Sequence, residues 1–181
     1  MRLTEKGVTQ LDELLNDVHH GPLAKVLTER GMILPQATPS GCVSDVSVVI
    51  PTIGDGRALR ALIEAIPISC WVIIVNDGEH DIIARDDRTV VLRTKSPFSG
   101  PATARNLGLQ AVTTEFVAFI DDDVRIDPDW VSRLRATFDV LDVTIAAGRI
   151  VSAAGTGISG YLEQRACALD MGVHSLSLIH I

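Results

Sequence analysis

The feature that most constrains the fold of this chain is an alternation of short, β-branched apolar runs with segments of helical periodicity, beginning at Val46. Four runs have the length and composition of strands: 46–50, 71–75, 89–92 and 115–120. Apolar residues recur at helical spacing over 58–66 and again over 101–112. The almost wholly apolar run 71–75 is typical of a strand that is buried on both faces. The alternation predicts an α/β domain with a mostly parallel sheet flanked by helices.

Three further elements are predicted after the fourth strand. Asp127 and Pro128 have the residue types of an N-cap and a first helical position, so a helix is expected to begin there. The run 145–151 predicts another strand. The periodicity of 158–169 predicts a last helix.

The N-terminal region has a different pattern. Leucine and valine residues recur at helical spacing in two short segments separated by a Gly-Pro pair. This spacing predicts a small helical unit over residues 1–38, which could take a winged-helix-like form. A stretch at 35–41 with two prolines and a glycine predicts a linker or boundary. The main domain is therefore expected to cover residues 44–174.

Charge and composition argue against several classes of protein. The chain of 181 residues has a formal net charge of -7, whereas a nucleic-acid-binding surface needs a positive field. No apolar run is long enough for a membrane-spanning helix. The three cysteines lie far apart and form no CxxC pattern, so neither a disulfide scaffold nor a zinc ribbon is indicated. These observations predict a cytoplasmic protein with no membrane segment and no nucleic-acid partner.

Three carboxylates follow the fourth predicted strand directly, at Asp121, Asp122 and Asp123. Open α/β sheets bind ligands at the carboxyl ends of their strands. In extended backbone, side chains two residues apart point the same way, so Asp121 and Asp123 could face one site while Asp122 faces elsewhere. Hard oxygen ligands of this kind suit Mg²⁺ or Mn²⁺ shared with a diphosphate. The alternative is a solvated acidic turn that helps to cap the next helix.

Weaker signals lie at the ends of the first two strands. Asn76-Asp77-Gly78 ends the second strand, where the Asp77 carboxylate can accept a hydrogen bond from a base N–H or a ribose hydroxyl. Gly78 permits a close turn there. Pro51-Thr52 ends the first strand. Each of these patterns is also typical of a plain turn at the end of a strand.

A glycine-led segment opens the second helix of the main domain. Between Gly100 and Gly108 it carries Arg105 and Asn106. The N–H groups at a helix N-terminus and a guanidinium both favour phosphate. The alternative is an arginine on a solvated helix face, with the neighbouring alanines in packing roles.

Taken in order, these four signals resemble the family-2 glycosyltransferases of the GT-A fold over roughly residues 46–150. The resemblance implies that Asp77 contacts the nucleobase or ribose and that Arg105 lies near the nucleotide diphosphate. The nucleotide-sugar-binding residues that it implies are Pro51, Thr52, Asp77, Arg105, Asp121 and Asp122, and the implied metal ligands are Asp121 and Asp123. The family more often has two acids where this chain has Asn76 and Asp77, so only Asp77 is given a role.

A narrower resemblance is carried by several segments: Gly100–Asn106, Thr113–Phe119, Gly148–Val151, Tyr161–Glu163 and Leu169–Gly172. They are similar to the glycosyltransferase of mycofactocin biosynthesis, which decorates that peptide-derived redox cofactor with glucose units. The resemblance implies UDP-glucose as the donor, mycofactocin as the acceptor, and Mn²⁺ or Mg²⁺ as the cofactor.

The resemblance also implies a mechanism. In such enzymes, the metal and the residue matching Arg105 stabilise charge on the departing nucleotide diphosphate. A carboxylate base then deprotonates the acceptor, and in-line attack inverts the anomeric centre. The family takes that base from an acidic motif well downstream of the metal site, and this chain ends before it. Residues 175–181 resemble the translation of a sequencing adapter, so we expect them to be a non-native tail. We therefore expect the chain to be an N-terminal fragment that does not catalyse sugar transfer.

Two other functions fit parts of the pattern. A nucleotidyltransferase also places acids at strand ends to hold Mg²⁺ and a nucleoside triphosphate. A glycine-rich, basic loop after the first strand favours it, and 53–57 offers two glycines and one arginine. A non-catalytic binding module would instead use the N-terminal helices to recognise a peptide or partner. Metal-dependent binding of a UDP-sugar would distinguish the glycosyltransferase from that module.

Overall fold

The computed structural model describes residues 43–54, 56–84, 86–140 and 143–148, together with residues 26 and 39. The described residues between 39 and 136 belong to one compact unit. Apart from residue 26, the predicted helical unit at 1–38 lies outside the described residues. The helix predicted at 158–169 and the tail at 175–181 also lie outside them. The predicted domain boundaries therefore stay predictions.

Four strands and three helices are present in the described residues from 43 onward: β1 Val46–Thr52, α1 Arg57–Ala65, β2 Trp71–Asn76, β3 Thr89–Arg93, α2 Pro101–Gln110, β4 Phe116–Phe119 and α3 Trp130–Val140. Each of the four strands and two helices predicted between Val46 and Ile120 is confirmed, with ends that differ by no more than a few residues. The α/β class predicted from the alternation is therefore correct.

The four strands form one parallel sheet with the order β3-β2-β1-β4. The chain moves outward from β1 through β2 to β3 and then returns to the other side of β1 for β4. This reversal leaves a crevice between the carboxyl ends of β1 and β4. Open α/β sheets bind ligands at such a point, so the topology alone identifies where a site should lie.

Strand β1 is longer than predicted, because it includes Pro51 and Thr52. The carbonyl of Val49 accepts a hydrogen bond from the N–H of Ile120, at 3.2 Å, on the β4 side. Pro51 lies two residues further along β1, so its backbone nitrogen also points to the β4 side. Pairing with β4 has ended at Val49, so no ladder bond is lost through the missing N–H of proline.

Strands β1 and β2 form the centre of the core, since β1 is wholly buried and β2 is buried after Trp71. Their alternate side chains face different helices. On one face, the sheet packs against α1 and α3, with a cluster that includes Val48, Ile50, Leu59, Leu62, Ile74 and Val131. On the other face it packs against α2, with a cluster formed by Val49, Ile73, Val75 and Ala104.

Helix α2 approaches the sheet closely at Gly108. A Cβ atom at this position would stand 2.4 Å from Cγ1 of Val49 and 3.0 Å from Cγ2 of Val75. Any larger residue would have to displace packed side chains. The contact fixes α2 against β1 and β2, and it therefore fixes the position of Arg105, about one helical turn earlier.

The C-terminal end of α1 is held by Arg88. Its guanidinium donates hydrogen bonds to the carbonyl groups of Ile63, Ile66 and Pro67, at 3.1, 3.2 and 2.7 Å. The last carbonyls of a helix have no partner within the helix, and a cation is favoured there by the helix dipole. Arg88 therefore joins the segment before β3 to the end of α1.

The helix predicted after Asp127 is present, but the strand predicted after it is not. Helix α3 begins at Trp130, two residues after Pro128, because the Trp130 N–H donates to the Asp127 carbonyl, at 3.1 Å, and closes a turn. Asp followed by Pro is favoured at the start of such a turn as well as at a helix start. The strand predicted at 145–151 is not observed in its described part, 145–148, which has irregular backbone.

Among the residues that the structure describes, no helix is long and apolar enough to cross a membrane. Cys70 is buried and forms no disulfide; its Sγ lies 3.6 Å from the carbonyl oxygen of Val43. Cys42 and Cys167 lie outside the described residues.

Candidate functional site

A cleft of about 460 Å³ opens at the carboxyl ends of the strands, next to the crevice between β1 and β4. Its lining residues are Pro51, Thr52, Ile53, Asp77, Phe98, Gly100, Pro101, Ala104, Arg105, Asp121, Asp122 and Asp123. Every residue predicted for the site is in this set. The sequence therefore predicted which side chains meet, while the binding role of each stays a prediction.

Asp77 lies at the end of β2 and binds three consecutive backbone amides of the loop before α2. Its carbonyl oxygen accepts from the N–H of Phe98 at 2.6 Å. Its carboxylate accepts from the N–H of Ser99 at 2.9 Å and from the N–H of Gly100 at 2.8 Å. The hydroxyl of Thr94 donates to the same carboxylate at 2.7 Å. Asp77 therefore fixes the loop that forms one wall of the cleft.

The environment of Asp77 favours its charged form. The residue is 4% exposed, and burial on its own raises the pKa of a carboxyl group. The hydrogen bonds from Thr94, Gly100 and Ser99 outweigh burial, so the pKa of Asp77 lies below its ordinary value. The carboxylate is thus ionised near neutral pH, and its charge is met by hydrogen-bond donors of the fold.

Asn76, where the resembling family more often has an acid, is the buried last residue of β2. Its side-chain oxygen accepts from the N–H of Gly78 at 2.9 Å. Its side-chain nitrogen donates to the carbonyl of His80 at 2.7 Å. A carboxylate cannot make the second bond, since an ionised acid has no donor. The departure from the family pattern therefore has a structural reason in this chain.

The ends of β1 and β2 are in close contact at Gly78. A Cβ atom on this residue would stand 1.9 Å from the carbonyl oxygen of Ile53. Because the neighbour is backbone, a side chain at Gly78 would force the loop after β1 to move. The glycine predicted to permit a close turn thus permits a close approach of two loops that line the cleft.

The acidic segment after β4 does not continue the strand. Strand β4 ends at Phe119, and Asp122 and Asp123 lie in a turn. The expected alternation of side chains is therefore wrong, because it requires extended backbone. Asp122 does not face elsewhere: it lines the same cleft, and its carboxylate accepts a hydrogen bond from the Thr52 hydroxyl at the end of β1.

Arg105 enters the cleft from the first turns of α2. Its Nη2 lies 2.5 Å from Oδ1 of Asp121, and the two side chains are 37% and 56% exposed. An ion pair this exposed contributes little to stability because solvent screens it. A guanidinium has five N–H donors, so Arg105 retains donors that an anionic group in the cleft can use.

The N-terminus of α2 is partly occupied by the protein itself. Gly100 is its N-cap and has φ of 96°, which glycine adopts without strain, and Pro101 follows at the first helical position. The Gly100 amide is bound to Asp77. The phosphate contact predicted for the start of α2 is therefore expected at the next amides, those of Ala102 and Thr103. The N–H groups in the first turn of an α-helix have no partner within the helix.

The acidic residues of the cleft fit a metal that is shared with a ligand rather than held by the protein alone. Asp121, Asp122 and Asp123 supply hard carboxylate oxygens on one side of the cleft. In the described part of the chain, no three acidic, histidine or cysteine side chains converge as a metal site. Mg²⁺ commonly keeps water and phosphate ligands beside one or two carboxylates, so the acids present are compatible with such an ion.

Sequence reasoning missed two residues of the cleft, Ile53 and Phe98. Both are apolar side chains in loops, with exposed fractions of 63% and 64%. Their only sequence signal is proximity to the Pro51-Thr52 and Gly100 segments. Periodicity does not identify isolated loop residues of this kind.

The sequence is similar to those of known proteins. The chain is 35% identical over 156 residues to the pre-mycofactocin glycosyltransferase of Mycobacterium tuberculosis, a match that covers 83% of this chain and 33% of that protein. It is 39% identical over 83 residues to the putative glycosyltransferase EpsH of Bacillus subtilis, which covers 41% of this chain and 24% of EpsH. The chain thus spans about a third of the length of the first relative.

The fold is also similar to a solved structure. The crystal structure of S. aureus TarS 1-349 superposes with a TM-score of 0.51 at 21% identity, covering 62% of this chain and 37% of that one. At this identity the likeness concerns the fold, and it confirms the predicted GT-A arrangement. Residues 47–172 match the sequence family described as Glycosyl transferase family 2. The chain therefore belongs to the family-2 glycosyltransferases.

Proposed function

We propose that this chain is the donor-binding core of an enzyme that moves a sugar from a nucleotide donor to an acceptor, with inversion at the anomeric carbon. The observation that carries the proposal is the cleft at the topological switch point of the sheet. Buried Asp77 at the end of β2, Arg105 on α2 and the acids Asp121–Asp123 after β4 all line it. Family membership supports glycosyl transfer over the nucleotidyltransferase and the non-catalytic binding module.

Different residues of the cleft would bind the two parts of the donor. Pro51, Thr52 and Asp77 would bind the nucleoside. Asp77 Oδ2 accepts one bond from the fold, and a carboxylate oxygen can accept two, so a base N–H or ribose hydroxyl can be added. Arg105 would bind the diphosphate, because a guanidinium forms strong charge-assisted bonds to phosphate oxygens.

Asp121 and Asp123 would hold Mn²⁺ or Mg²⁺, and Asp122, fixed by Thr52, would contact the donor beside them. Such an ion supplies charge stabilisation for the departing nucleotide diphosphate. Arg105 adds a second positive group on the same side of the cleft.

The finer parts of the proposal are UDP-glucose as the donor and mycofactocin as the acceptor. The name of the relative with 35% identity, pre-mycofactocin glycosyltransferase, supports the acceptor. A cytoplasmic location stays a prediction from the sequence.

A thermal-shift measurement tests donor binding on the chain itself. UDP-glucose should raise the melting temperature only when Mn²⁺ or Mg²⁺ is present, and Asp123→Ala should remove the effect. Asp87→Ala is a matched control, because Asp87 is an exposed acid that does not line the cleft. If wild-type protein melts at the same temperature with and without both ligands, the proposed donor site is wrong.

Sugar transfer by the full-length enzyme tests the reaction. A panel of nucleotide sugars should show preferred transfer of glucose from UDP-glucose, and the anomeric configuration of the product should be opposite to that of the donor. Transfer to a mycofactocin-type acceptor would support the proposed acceptor. Transfer to a different class of acceptor would overturn it, while glycosyl transfer itself would stand.

A further inference from the structure

Phe98 is an exposed aromatic residue of the cleft lining. It is 64% exposed and lines the cleft beside Asp77 and Gly100. Its φ of 57° lies in the left-handed region, which a bulky residue rarely adopts. Strained backbone of this kind persists only when surrounding contacts enforce it, and it is frequent at ligand sites.

The contacts that enforce this conformation come from Asp77. The Phe98 N–H donates to the Asp77 carbonyl at 2.6 Å, and the next two amides donate to the Asp77 carboxylate. The backbone on both sides of the ring is thus fixed by one buried residue. The cost of ordering an exposed aromatic side chain on binding is lower when its backbone is already held.

A second exposed apolar side chain lies on the neighbouring loop. Ile53 is 63% exposed and lines the same cleft. Its backbone contacts Gly78, the residue after Asp77, so closely that a Cβ at Gly78 would stand 1.9 Å from the Ile53 carbonyl oxygen. The loops that carry Ile53 and Phe98 are therefore both anchored to the Asp77-Gly78 turn.

The cleft consequently carries two chemically different kinds of side chain. Arg105 and the three acids provide charge partners for a diphosphate and a cation. Ile53 and Phe98 contribute exposed apolar surface beside Asp77. A nucleoside diphosphate has the same division, with a flat ring at one end and charged oxygens at the other.

We propose that Phe98 presents its ring to the nucleobase of the bound nucleotide, with Ile53 as a second apolar surface for the same base. This inference rests on the proposed function and adds a nucleoside-binding residue to it. Base–aromatic stacking uses the π face that every base has. Phe98 therefore contributes affinity for the nucleoside end of the donor and not for its diphosphate.

The test is a calorimetric titration of the 181-residue chain with UDP and, separately, with inorganic pyrophosphate, both in the presence of Mn²⁺. Phe98→Ala should weaken UDP binding by about tenfold, as alanine substitution of a stacking residue does. Pyrophosphate binding should not change, and Phe98→Tyr should retain UDP binding. Ile68→Ala is the matched control, because Ile68 is 87% exposed and lies outside the cleft.

Each other outcome would contradict the inference in a different way. UDP affinity within twofold of wild type in Phe98→Ala would overturn the stacking role and leave the donor site intact. Equal loss of UDP and pyrophosphate would show that Phe98 acts on the loop rather than on the base. Wild-type protein that binds neither probe would overturn the proposed function, and the inference with it.

Discussion

Two strand ends meet at the cleft and carry the same residue type, but they use it differently. At the β2 end, Asp77 is 4% exposed, and its carboxylate accepts hydrogen bonds from three groups of the fold. At the β4 end, Asp121 and Asp123 are exposed. Asp121 pairs there with Arg105, which is 37% exposed and also lines the cleft.

The difference shows that a carboxylate at a strand end can either be hydrogen-bonded within the fold or be exposed to a ligand. Hydrogen bonds to a buried charge are costly to remove, because they leave donors and charge without partners. Exposed acids cost little to remove, but they repel one another unless a cation binds. The β2 end should therefore control folding, and the β4 end should control binding.

Asp77→Ala should have the largest effect on stability. The substitution removes three bonds to the carboxylate, so we expect the free energy of unfolding to fall by about 3 kcal/mol. For a chain of this size the melting temperature would fall by roughly 10 °C. Asp123→Ala should change stability by less than about 0.5 kcal/mol. Equal losses in the two variants, measured by chemical denaturation, would break the comparison.

Gly78→Ala should have the next largest effect, because its new Cβ would collide with the Ile53 backbone. We expect a loss of about 2 kcal/mol in the free energy of unfolding, as in other overpacked positions. Gly54→Ala is the control on the neighbouring loop, since a Cβ there has nothing within 4 Å. Denaturation curves that coincide for the two variants would show that the β2 end is not tightly packed.

The pH dependence of stability sharpens the same comparison. The pKa of Asp77 is lower in the folded state than its ordinary value. Its contribution is therefore fully present above the unfolded pKa of about 4, and it is lost as the pH falls through the folded pKa. The free energy of unfolding should fall more steeply below about pH 4 in wild type than in Asp77→Asn. Parallel curves would contradict the assigned hydrogen bonds.

Arg105→Ala should have the smallest effect on folding and a clear effect on binding. Its ion pair with Asp121 is exposed, so the free energy of unfolding should change by about 0.5 kcal/mol or less. The affinity for UDP with Mn²⁺ should fall roughly tenfold, through loss of a charge-assisted phosphate contact. Arg133→Ala, which breaks an exposed pair outside the cleft, should leave that affinity unchanged.

The sequence was sufficient to predict the sheet and the membership of the cleft. Apolar runs with β-branched residues determine the strands, and parallel strands place their carboxyl ends at one edge. Residues that follow those runs, such as Thr52, Asp77 and Asp121, must therefore lie near one another. This part of the prediction depends only on strand order and direction.

The bonding within the site could not be predicted in the same way. Asp77 binds amides of a distant loop. No periodicity in the sequence indicates the φ of 57° that the backbone adopts at Phe98. The alternation expected over Asp121–Asp123 is wrong, because a local turn replaces the strand. The strand expected at 145–151 is likewise absent from its described part, 145–148, where Ile145 is followed by two alanines and a glycine, residue types that are depleted in strands.

We propose that Asp121 and Asp123 bind a divalent ion together with the diphosphate of a nucleotide in this cleft. The most direct test is anomalous diffraction at the manganese edge from crystals of the chain grown with UDP and Mn²⁺. We predict a single strong anomalous peak between these two carboxylates and the diphosphate oxygens, with Arg105 on the same diphosphate. Ordered UDP in the cleft with no manganese peak beside Asp121 and Asp123 would contradict the account.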